Sequence, residues 1–258
     1  MEQSGEERIR RSLRGTWPEL QVRALDTVDS TNLRLKEAAR AGEILPPYLL
    51  TAQTQTAGRG RLGRAFVSPR SGLYMSLLIT PPDGAVGGPV TVTAAVAVCR
   101  AIEELTGLRP RIKWVNDLFL RGKKVCGILA EGVGRDVIVG IGVNILPPPG
   151  GFPPEAGVAG ALEVSQDPCA LAGRIAAHFY EDLWERPLSD VLTDYRARMP
   201  LIGREIAFEQ NGQIKNALVT GVDAQGGLMI EGAEGPSVLR CGEISLGSQG
   251  FSGDPLFE

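Results

Sequence analysis

Two kinds of hydrophobic pattern alternate along the chain up to Pro200. Short apolar runs bounded by turn residues predict strands, at 21–25, 48–53, 73–80, 111–114, 118–120, 125–131 and 137–145. Longer segments with apolar residues at helical spacing predict helices, at 30–41, 90–105, 168–184 and 190–199. The mixture predicts a large domain of the α+β class.

The pattern changes at both ends of this region. After Pro200, short apolar runs at 206–209, 217–222, 228–230 and 238–239 are separated by turns such as Asn211-Gly212 and Gly226-Gly227, which is typical of a small barrel. The first twenty residues are polar, with four arginines, and predict a solvated, partly helical arm too short for a helix-turn-helix domain. We therefore divide the chain into 1–20, 21–200 and 201–258.

Composition narrows the class of protein. The chain has 258 residues, 43% of them hydrophobic, and a formal net charge of −3. A dedicated nucleic-acid binder is usually basic, so no nucleic-acid partner is expected. The four cysteines form no CxxC pair, and no apolar run is long enough for a leader or a membrane span. These features favour a cytoplasmic protein with reduced thiols and no membrane partner.

A glycine-arginine loop follows the second predicted strand, with the sequence Gly58-Arg59-Gly60-Arg61-Leu62-Gly63-Arg64. Glycines let backbone amides approach an anion closely, and arginines offer planar forks to phosphate or carboxylate oxygens. The loop lacks the Gly-Lys-Ser/Thr of a Walker A motif and does not open into a helix as a dinucleotide-binding loop does. By itself it fits an anion site or a mobile basic loop equally well.

Three further segments carry polar or charged groups beside apolar runs. Lys113-Trp114-Val115-Asn116-Asp117 precedes a predicted hairpin, in which Lys124 enters an apolar strand where an anionic ligand would satisfy it; a surface lysine is the other reading. Spaced glycines in Gly140-Ile141-Gly142-Val143-Asn144 indicate the close approach of a ligand or a backbone. Asp29-Ser30-Thr31-Asn32 is suited both to capping a helix and to holding a polar ligand group.

Together these segments resemble, in content and in order, the motifs of the biotin protein ligase family. The resemblance covers roughly residues 20 to 248 and includes Gln53, Lys124 before Gly127-Ile128-Leu129, and Gly242-Glu243-Ile244-Ser245-Leu246. It implies a class II synthetase-like catalytic domain, with a mixed sheet flanked by helices, and a small C-terminal SH3-like β-barrel. It also implies ATP-dependent ligation of biotin to a lysine of a biotin carboxyl carrier protein, through a biotinyl-AMP intermediate, with Mg²⁺ accompanying ATP.

The resemblance also implies roles for individual residues. Lys124 and Arg61 would be catalytic. Biotin would be bound by Ser30, Thr31, Asn32, Gln53, Arg59, Gly60, Lys124, Gly127 and Gly140. ATP and the adenylate would be bound by Gly58, Arg59, Gly60, Arg61, Phe66, Lys113, Asn116, Asp117 and Asn144, with Mg²⁺ near Asn144.

The chain departs from the family pattern in three places. Val115 stands where proline is usual, Phe66 stands where many members have tryptophan, and the winged helix of the bifunctional repressor members is missing. We therefore expect no operator binding. Members can dimerise through the catalytic sheet, so a homodimer is an open possibility.

Two other functions remain open at this point. A lipoate or octanoate ligase or transferase shares the general fold, and the transferase would use a cysteine such as Cys126 as nucleophile. Burial of Cys126 as a small apolar residue is the simpler expectation, and His178, in a predicted helix, is expected to be a packing residue. A nucleic-acid-binding module that uses the glycine-arginine loop is disfavoured by the acidic charge and by the lack of aromatic residues in that loop.

Overall fold

The computed structural model describes residues 3–82, 87–210, 212–240 and 244–245. The strands of the first sheet are β1 Gln21–Val28, β2 Tyr48–Gln55, β3 Gly72–Ile79, β4 Arg111–Lys113, β5 Asp117–Leu120, β6 Lys123–Val133 and β7 Asp136–Asn144. The helices are α1 Gly5–Leu13, α2 Thr31–Arg40, α3 Gly88–Thr106, α4 Pro168–Tyr180 and α5 Leu188–Arg198. The strands of the second sheet are β8 Glu205–Gln210, β9 Gln213–Val222, β10 Leu228–Gly232, β11 Gly235–Leu239 and β12 Ile244–Ser245.

The first sheet is mixed and has the strand order β1-β2-β3-β7-β6-β5-β4. Only the β1–β2 pair is parallel among the described strands; the other pairs are antiparallel. The second sheet is antiparallel throughout, in the order β11-β10-β9-β8-β12. This arrangement confirms the α+β class and the change of architecture after Pro200.

Helices cover both faces of the mixed sheet because its strands carry apolar residues on both sides. Leu50, Leu78 and Ile138 pack with Leu35 of α2 on one face. The alternate positions of the same strands belong to the larger core, which includes the apolar side of α3 and α4. Such two-sided burial explains why these strands read as continuous apolar runs.

The N-terminal arm is partly helical, as predicted, but the prediction that it is solvated is wrong, because its apolar residues are buried. Helix α1 begins with a capping box between Ser4 and Glu7 and packs against α4. Ile9 and Leu13, one helical turn apart, are buried, and so are Trp17 and Leu20 beyond the helix. The arginines lie on the outer side of this amphipathic helix. Its few buried apolar residues do not stand out in a segment whose composition is mostly polar.

One further difference concerns the C-terminal half. The predicted helix 168–184 ends at Tyr180 and continues as a π-helical turn, Glu181–Glu185.

The second sheet is bonded to the first domain at two places. Trp114 Nε1, just after β4, donates to the Gly226 carbonyl at 2.9 Å, and Arg196 Nη2 of α5 donates to the Val222 carbonyl at 2.7 Å. Asn211, and Gly242, Glu243 and Leu246 of the closing motif, lie outside the described residues.

Candidate active site

A cavity of about 650 Å³ brings together nearly all the residues chosen from the sequence. It is lined by residues from each of the predicted motifs: Ser30, Thr31, Asn32, Arg59, Gly60, Arg61, Phe66, Lys113, Asn116, Asp117, Lys124, Gly127, Gly140 and Asn144. Two of the chosen residues, Gln53 and Gly58, are not among those lining it. The size suits a small organic ligand together with a nucleotide.

The glycine-arginine loop is folded onto itself at the cavity wall. Arg59 forms a β-bridge with Ala65, the Gly60 amide donates to the Arg64 carbonyl at 2.7 Å, and a short 3₁₀ turn covers Arg61–Gly63. This turn needs Gly63, whose φ is +75°. The fold of the loop places three arginines around one cavity.

Arg61 joins this loop to the next motif. Its guanidinium donates to Asn116 Oδ1 at 2.9 Å, while Asn116 Nδ2 donates to the Ile128 carbonyl at 2.9 Å. The backbone carbonyl of Asn116 also accepts from the Ile128 amide. Both the side chain and the backbone of Asn116 are therefore bonded to strand β6. The contact fixes the separation of the loop and the β4–β5 turn.

Lys124 lies inside the cavity. A tight turn at Arg121-Gly122, with φ of 50° and 71°, joins β5 to β6 and places Lys124 opposite Phe119. Lys124 Nζ is 2.8 Å from Asp117 Oδ1, and both side chains are mostly buried. The surface-lysine reading is therefore wrong.

The backbone of Lys124 also positions a wall of the cavity. Its amide donates to the Val158 carbonyl at 2.9 Å, and its carbonyl accepts from the Gly160 amide at 2.8 Å. Asn144 Nδ2 donates to the Gly160 carbonyl at 2.8 Å, so Asn144 secures the same wall. Segment 152–159 contributes Phe152, Glu155 and Val158 to the lining.

The charge of the cavity is opposite to that of the whole chain. Among the described residues, five cationic side chains line it: Arg59, Arg61, Arg64, Lys113 and Lys124. The carboxylates of Asp117 and Glu155 also line it, and Asp117 is already paired with Lys124. The excess of positive charge suits an anionic ligand such as a carboxylate or a polyphosphate.

Two glycines make room for an aromatic ring. Gly127 of β6 pairs with Gly142 of β7, and the Phe66 ring lies over both, so that a Cβ on either glycine would press on the ring. Gly140 also lines the cavity, and the space above it holds the carboxamide of Asn32. The aromatic face expected of Phe66 is therefore present in the cavity.

A polar end is formed where α2 begins. Ser30 caps the helix, and Thr31 donates from its backbone amide to Gln55 Oε1 at 2.9 Å. Gln55, rather than Gln53, lines the cavity. Gln53 is exposed, and its Oε1 accepts from Arg70 at 2.7 Å.

Sequence reasoning therefore chose the wrong glutamine and missed several other lining residues. Gln53 and Gln55 have the same chemistry and the same parity on β2, so only the end of the strand distinguishes them. Arg64 was in the loop motif but received no role. Segment 152–159 carried no chemical motif that could place it at the cavity, and Ile244 belonged to the closing motif but received no role at the cavity.

Cys126 does not reach the cavity. On β5, Leu118 pairs with Cys126 and the next residue, Phe119, pairs with Lys124, so β6 has a bulge at Val125. Because consecutive residues of β5 face opposite sides of the sheet, their partners Lys124 and Cys126 also face opposite sides. The Cys126 side chain is fully buried, and burial raises the pKa of its thiol well above the usual value. The nucleophilic role considered for Cys126 is contradicted by this placement.

His178 belongs to a structural network whose members do not line the cavity. Its ring nitrogens lie 2.7 Å from Glu104 Oε2 and 3.2 Å from Glu181 Oε2, and Arg174 also pairs with Glu104. It is a packing residue, as expected.

Within the described parts of the chain no group of three His, Cys, Asp or Glu side chains is arranged to hold a metal ion. No helix in those parts is long and apolar enough to cross a membrane.

Comparison with known proteins gives consistent matches. Residues 24–146 match the Biotin/lipoate A/B protein ligase family, and residues 201–247 match the Biotin protein ligase C terminal domain. The chain is 33% identical over 225 residues to the bifunctional ligase/repressor BirA of Bacillus subtilis, covering 77% of this chain and 66% of that protein. It is 30% identical over 241 residues to the biotin–[acetyl-CoA-carboxylase] ligase of Mycobacterium tuberculosis, covering 88% and 89%.

A solved structure gives the same picture. The biotin protein ligase from Aquifex aeolicus, in complex with biotin and ATP, superposes with a TM-score of 0.75 at 29% identity, over 87% of this chain and 97% of that one. The likeness extends over both sheets, because so nearly complete a coverage requires the catalytic part and the C-terminal part together.

Proposed function

The chain belongs to the biotin protein ligase family, and we propose that this cavity activates biotin as biotinyl-AMP and then passes it to a lysine of a biotin carboxyl carrier protein. The carrying observation is the set of chemical groups that this one cavity brings together. Its lining includes polar groups at Thr31 and Gln55, the Phe66 ring over paired glycines, and the cationic side chains of arginines and lysines. These three kinds of group suit a ureido ring, an acyl chain, and the carboxylate and phosphates that are joined in the reaction.

The first half-reaction joins two anions. A carboxylate oxygen of biotin attacks the α-phosphorus of ATP, the new oxygen–phosphorus bond forms, and the bond to pyrophosphate breaks. In this proposal Lys124 neutralises the carboxylate and the bridging oxygen, while Arg59, Arg61 and Lys113 hold the phosphates. Lys124 is paired with Asp117 and Arg61 is bonded to Asn116 before the reaction, so these two side chains stabilise the developing charge at little reorganisation cost.

Magnesium fits the site as a companion of ATP rather than as a resident ion. The described residues hold no carboxylate cluster that could bind it alone, whereas Asn144, with its Nδ2 bound to Gly160, keeps an oxygen of the type that Mg²⁺ prefers. When bound, the ion would neutralise phosphate charge. Asn144 orients the wall formed by segment 152–160 whether or not the ion is present.

The second half-reaction needs no covalent bond to the enzyme. The uncharged amine of the acceptor lysine attacks the carbonyl of biotinyl-AMP, an amide bond forms as the nitrogen loses one proton to solvent, and AMP leaves with the electrons of the broken carbon–oxygen bond. The glycine-arginine loop, closed through Arg61 and Asn116, shields the anhydride from water until the acceptor arrives. The carrier domain is thus a substrate of the same cavity.

A lipoate or octanoate enzyme of related fold is the competing function. The first family match covers both kinds of ligase, but the match at 201–247 is to the C-terminal domain of biotin protein ligases. A transferase based on Cys126 has no support, because Cys126 is buried on the opposite face from Lys124. Homodimerisation through the catalytic sheet, the absence of a nucleic-acid partner and a cytoplasmic location stay predictions.

The acceptor step can be tested with an isolated carrier domain. The protein, ATP-Mg²⁺ and biotin are incubated with a biotin carboxyl carrier domain, and the carrier is weighed by mass spectrometry. We expect the mass of one biotinyl group to be added, and no addition when the acceptor lysine is replaced by arginine. Equal modification of the lysine and arginine forms would contradict enzymatic transfer, and so would no modification of either form.

A further inference from the structure

A chain of hydrogen-bonded groups runs from the polar end of the cavity into the protein behind it. Starting at the cavity, Gln55 Oε1 is 3.1 Å from Thr31 Oγ1, which is 2.7 Å from Ser76 Oγ. Ser76 Oγ is 2.6 Å from Asn32 Oδ1, and Asn32 Nδ2 is 3.0 Å from Glu131 Oε2. Ser76 is fully buried, and neither Ser76 nor Glu131 lines the cavity.

The two carboxamides in this chain have only one possible orientation each. Asn32 Nδ2 faces Glu131 Oε2 and, at 3.4 Å, the Leu129 carbonyl, and both of these groups can only accept while the carboxylate is ionised. Gln55 Oε1 faces the backbone amide of Thr31, which can only donate. Thus an oxygen of each carboxamide must face the two hydroxyl groups between them.

Counting protons sets the direction of the chain. Three oxygen–oxygen contacts connect Gln55, Thr31, Ser76 and Asn32, but only two hydroxyl protons are available to fill them. The two shortest contacts are both filled only when Thr31 donates to Ser76 and Ser76 donates to Asn32. The longest contact, to Gln55, is then the one without a proton, so Gln55 Oε1 and Thr31 Oγ1 keep lone pairs at the cavity.

Glu131, at the end of the hydrogen-bond chain away from the cavity, acts only as a hydrogen-bond acceptor. Lys36 Nζ contacts Glu131 Oε1 at 2.7 Å, leaving Oε2 for Asn32. Burial tends to raise the pKa of Glu131, but the hydrogen bonds from Lys36 and Asn32 and the charges of Lys36 and Arg59 outweigh it and lower the pKa. The carboxylate is therefore ionised near neutral pH.

We propose that Glu131, supported by Lys36, is a positioning residue that orients this hydrogen-bond chain so that the polar end of the cavity presents acceptors to the N–H groups of its ligand. The inference rests on the proposed function, in which that ligand group is the ureido ring of biotin. A ureido ring has two N–H donors, whereas the dithiolane of lipoate and the alkyl end of octanoate have none. Glu131 would thereby contribute to the choice of acid without touching it.

The substitution Glu131→Gln reverses the direction of hydrogen-bond donation along this series of groups. A glutamine at this position can donate to Asn32, which lets the Asn32 carboxamide turn and donate to Ser76. Ser76 then donates to Thr31, and Thr31 donates to Gln55, so both lone pairs of Gln55 Oε1 are filled and Thr31 Oγ1 has one lone pair fewer to offer at the cavity. We expect the dissociation constant for biotin to rise about tenfold, as for the loss of one hydrogen bond, while ATP binding stays the same.

The double variant Glu131→Gln/Asn32→Asp restores the original direction. The glutamine amide now donates to the aspartate, and the other aspartate oxygen accepts from Ser76 as Asn32 does in the native chain. We expect biotin affinity to return to within about threefold of the native value, since about 1 kcal/mol is recovered. Asn32→Asp alone should bind biotin poorly, because it places a carboxylate against Glu131.

Isothermal titration of each folded variant with biotin and, separately, with ATP tests the inference, with Glu37→Gln on the exposed side of α2 as a matched loss of charge. Weakening in Glu131→Gln, recovery in the double variant and no change in Glu37→Gln would support it. Unchanged biotin affinity in Glu131→Gln, or no recovery in the double variant, would overturn it. If the native protein itself does not bind biotin, the proposed function fails, not the orientation of the chain.

Should thermal melting show that Glu131→Gln is unfolded, Lys36→Met tests the same chain. Without the lysine the pKa of Glu131 should rise, so a proton on Glu131 would release Asn32 as the pH falls. We expect the biotin affinity of Lys36→Met to fall at a higher pH than that of the native protein as the pH is lowered, because Glu131 of the variant takes up a proton more readily. Parallel pH profiles for the two proteins would overturn the inference.

Discussion

Lys124 shows how one residue can serve the fold and the chemistry together. Its backbone holds the wall 158–160, and its ammonium is paired with Asp117 inside a cavity that contains an excess of positive charge. A buried ammonium beside other cations is costly unless an anion arrives. The arrangement is therefore suited to a ligand that brings negative charge to this point.

Lys124→Ala should slow formation of biotinyl-AMP. Losing one preorganised charge at the reacting oxygens costs about 3 kcal/mol, or roughly a hundredfold in rate. Single-turnover assays with ATP-Mg²⁺ and biotin, followed by mass spectrometry of the adenylate, measure this directly. Lys123→Ala, at the exposed neighbouring residue, is the control and should react normally; a normal rate in Lys124→Ala would refute the assigned role.

Arg61→Gly should make the intermediate leak. The substitution removes the bond to Asn116 that closes the loop over the cavity, so biotinyl-AMP should dissociate several-fold faster, as expected for about 1 kcal/mol of lost contact. The measurement is the release of labelled biotinyl-AMP into a filtrate during a chase. Retention equal to that of the native protein would count against a closing role for Arg61.

Cys126→Ala should leave both half-reactions within about twofold of the native rates. The side chain is buried away from the cavity, so its replacement costs only about 1 kcal/mol of stability from lost packing. Carrier biotinylation and urea unfolding report the two effects separately. A variant that forms the acyl-AMP but cannot transfer it would restore the cysteine-based mechanism.

At the scale of elements, the site is assembled where strands β6 and β7 meet the start of α2. The two strands carry glycines at the points where a ring or a carboxamide lies against them. Spaced glycines in a strand reduce its stability and usually indicate close approach. Here Gly140 admits Asn32, which is part of the hydrogen-bond chain leading to Glu131.

The substitution Gly140→Ala tests whether Asn32 needs the space above this glycine. Its new methyl group would overlap the carboxamide of Asn32, so the polar end should be displaced and biotin affinity should fall about tenfold or more, as when a hydrogen bond is broken. Gly221→Ala in β9 is the control, because a methyl group there would have only ordinary contact with Met229. Titration with biotin should separate the two; equal affinity would show that Asn32 is not needed.

The elements themselves were largely predictable, and the reasons for the exceptions are physical. Helix α2 was found with its cap and its glycine stop, and the β5–β6 hairpin with its turn, because local residues determine both. Helix α1 was underestimated because its burial depends on α4, which is far away in sequence. The Val125 bulge, which separates Lys124 from Cys126, depends on the register with β5 and has no signal of its own in the sequence.

The motifs were predicted more completely than the full set of residues that form the site. Motif residues with unusual chemistry, such as Lys124 and Arg61, were placed in the cavity as expected. Gln55 was missed because an identical side chain lies two residues earlier on the same strand. Ser76 and Glu131 act through other residues, so only the three-dimensional contacts identify them.

At the scale of the whole molecule, the C-terminal sheet completes the catalytic domain. Trp114, in the motif that lines the cavity, donates to Gly226, and Ile244 of the second sheet also lines the cavity. Arg196 adds a second bond across the same boundary. The two sheets should therefore unfold together rather than as separate units.

Trp114→Phe should weaken this connection. The substitution leaves the buried Gly226 carbonyl without its donor, which costs about 1–3 kcal/mol of unfolding free energy. Urea unfolding followed by circular dichroism measures it, with Trp184→Phe, in an aromatic cluster with Trp17 and Tyr180, as the control for loss of an indole. Unchanged stability in Trp114→Phe would show that the bond does not hold the sheets together.

Under the proposed function the whole molecule makes an acyl-adenylate from biotin. The most direct measurement mixes the purified protein with ATP-Mg²⁺ and biotin, lipoate or octanoate, and follows pyrophosphate release and the acyl-AMP by mass spectrometry. We predict pyrophosphate release with biotin alone and biotinyl-AMP retained on the protein. Release only with lipoate or octanoate, or no release with any of the three acids, would show that the protein is not a biotin ligase.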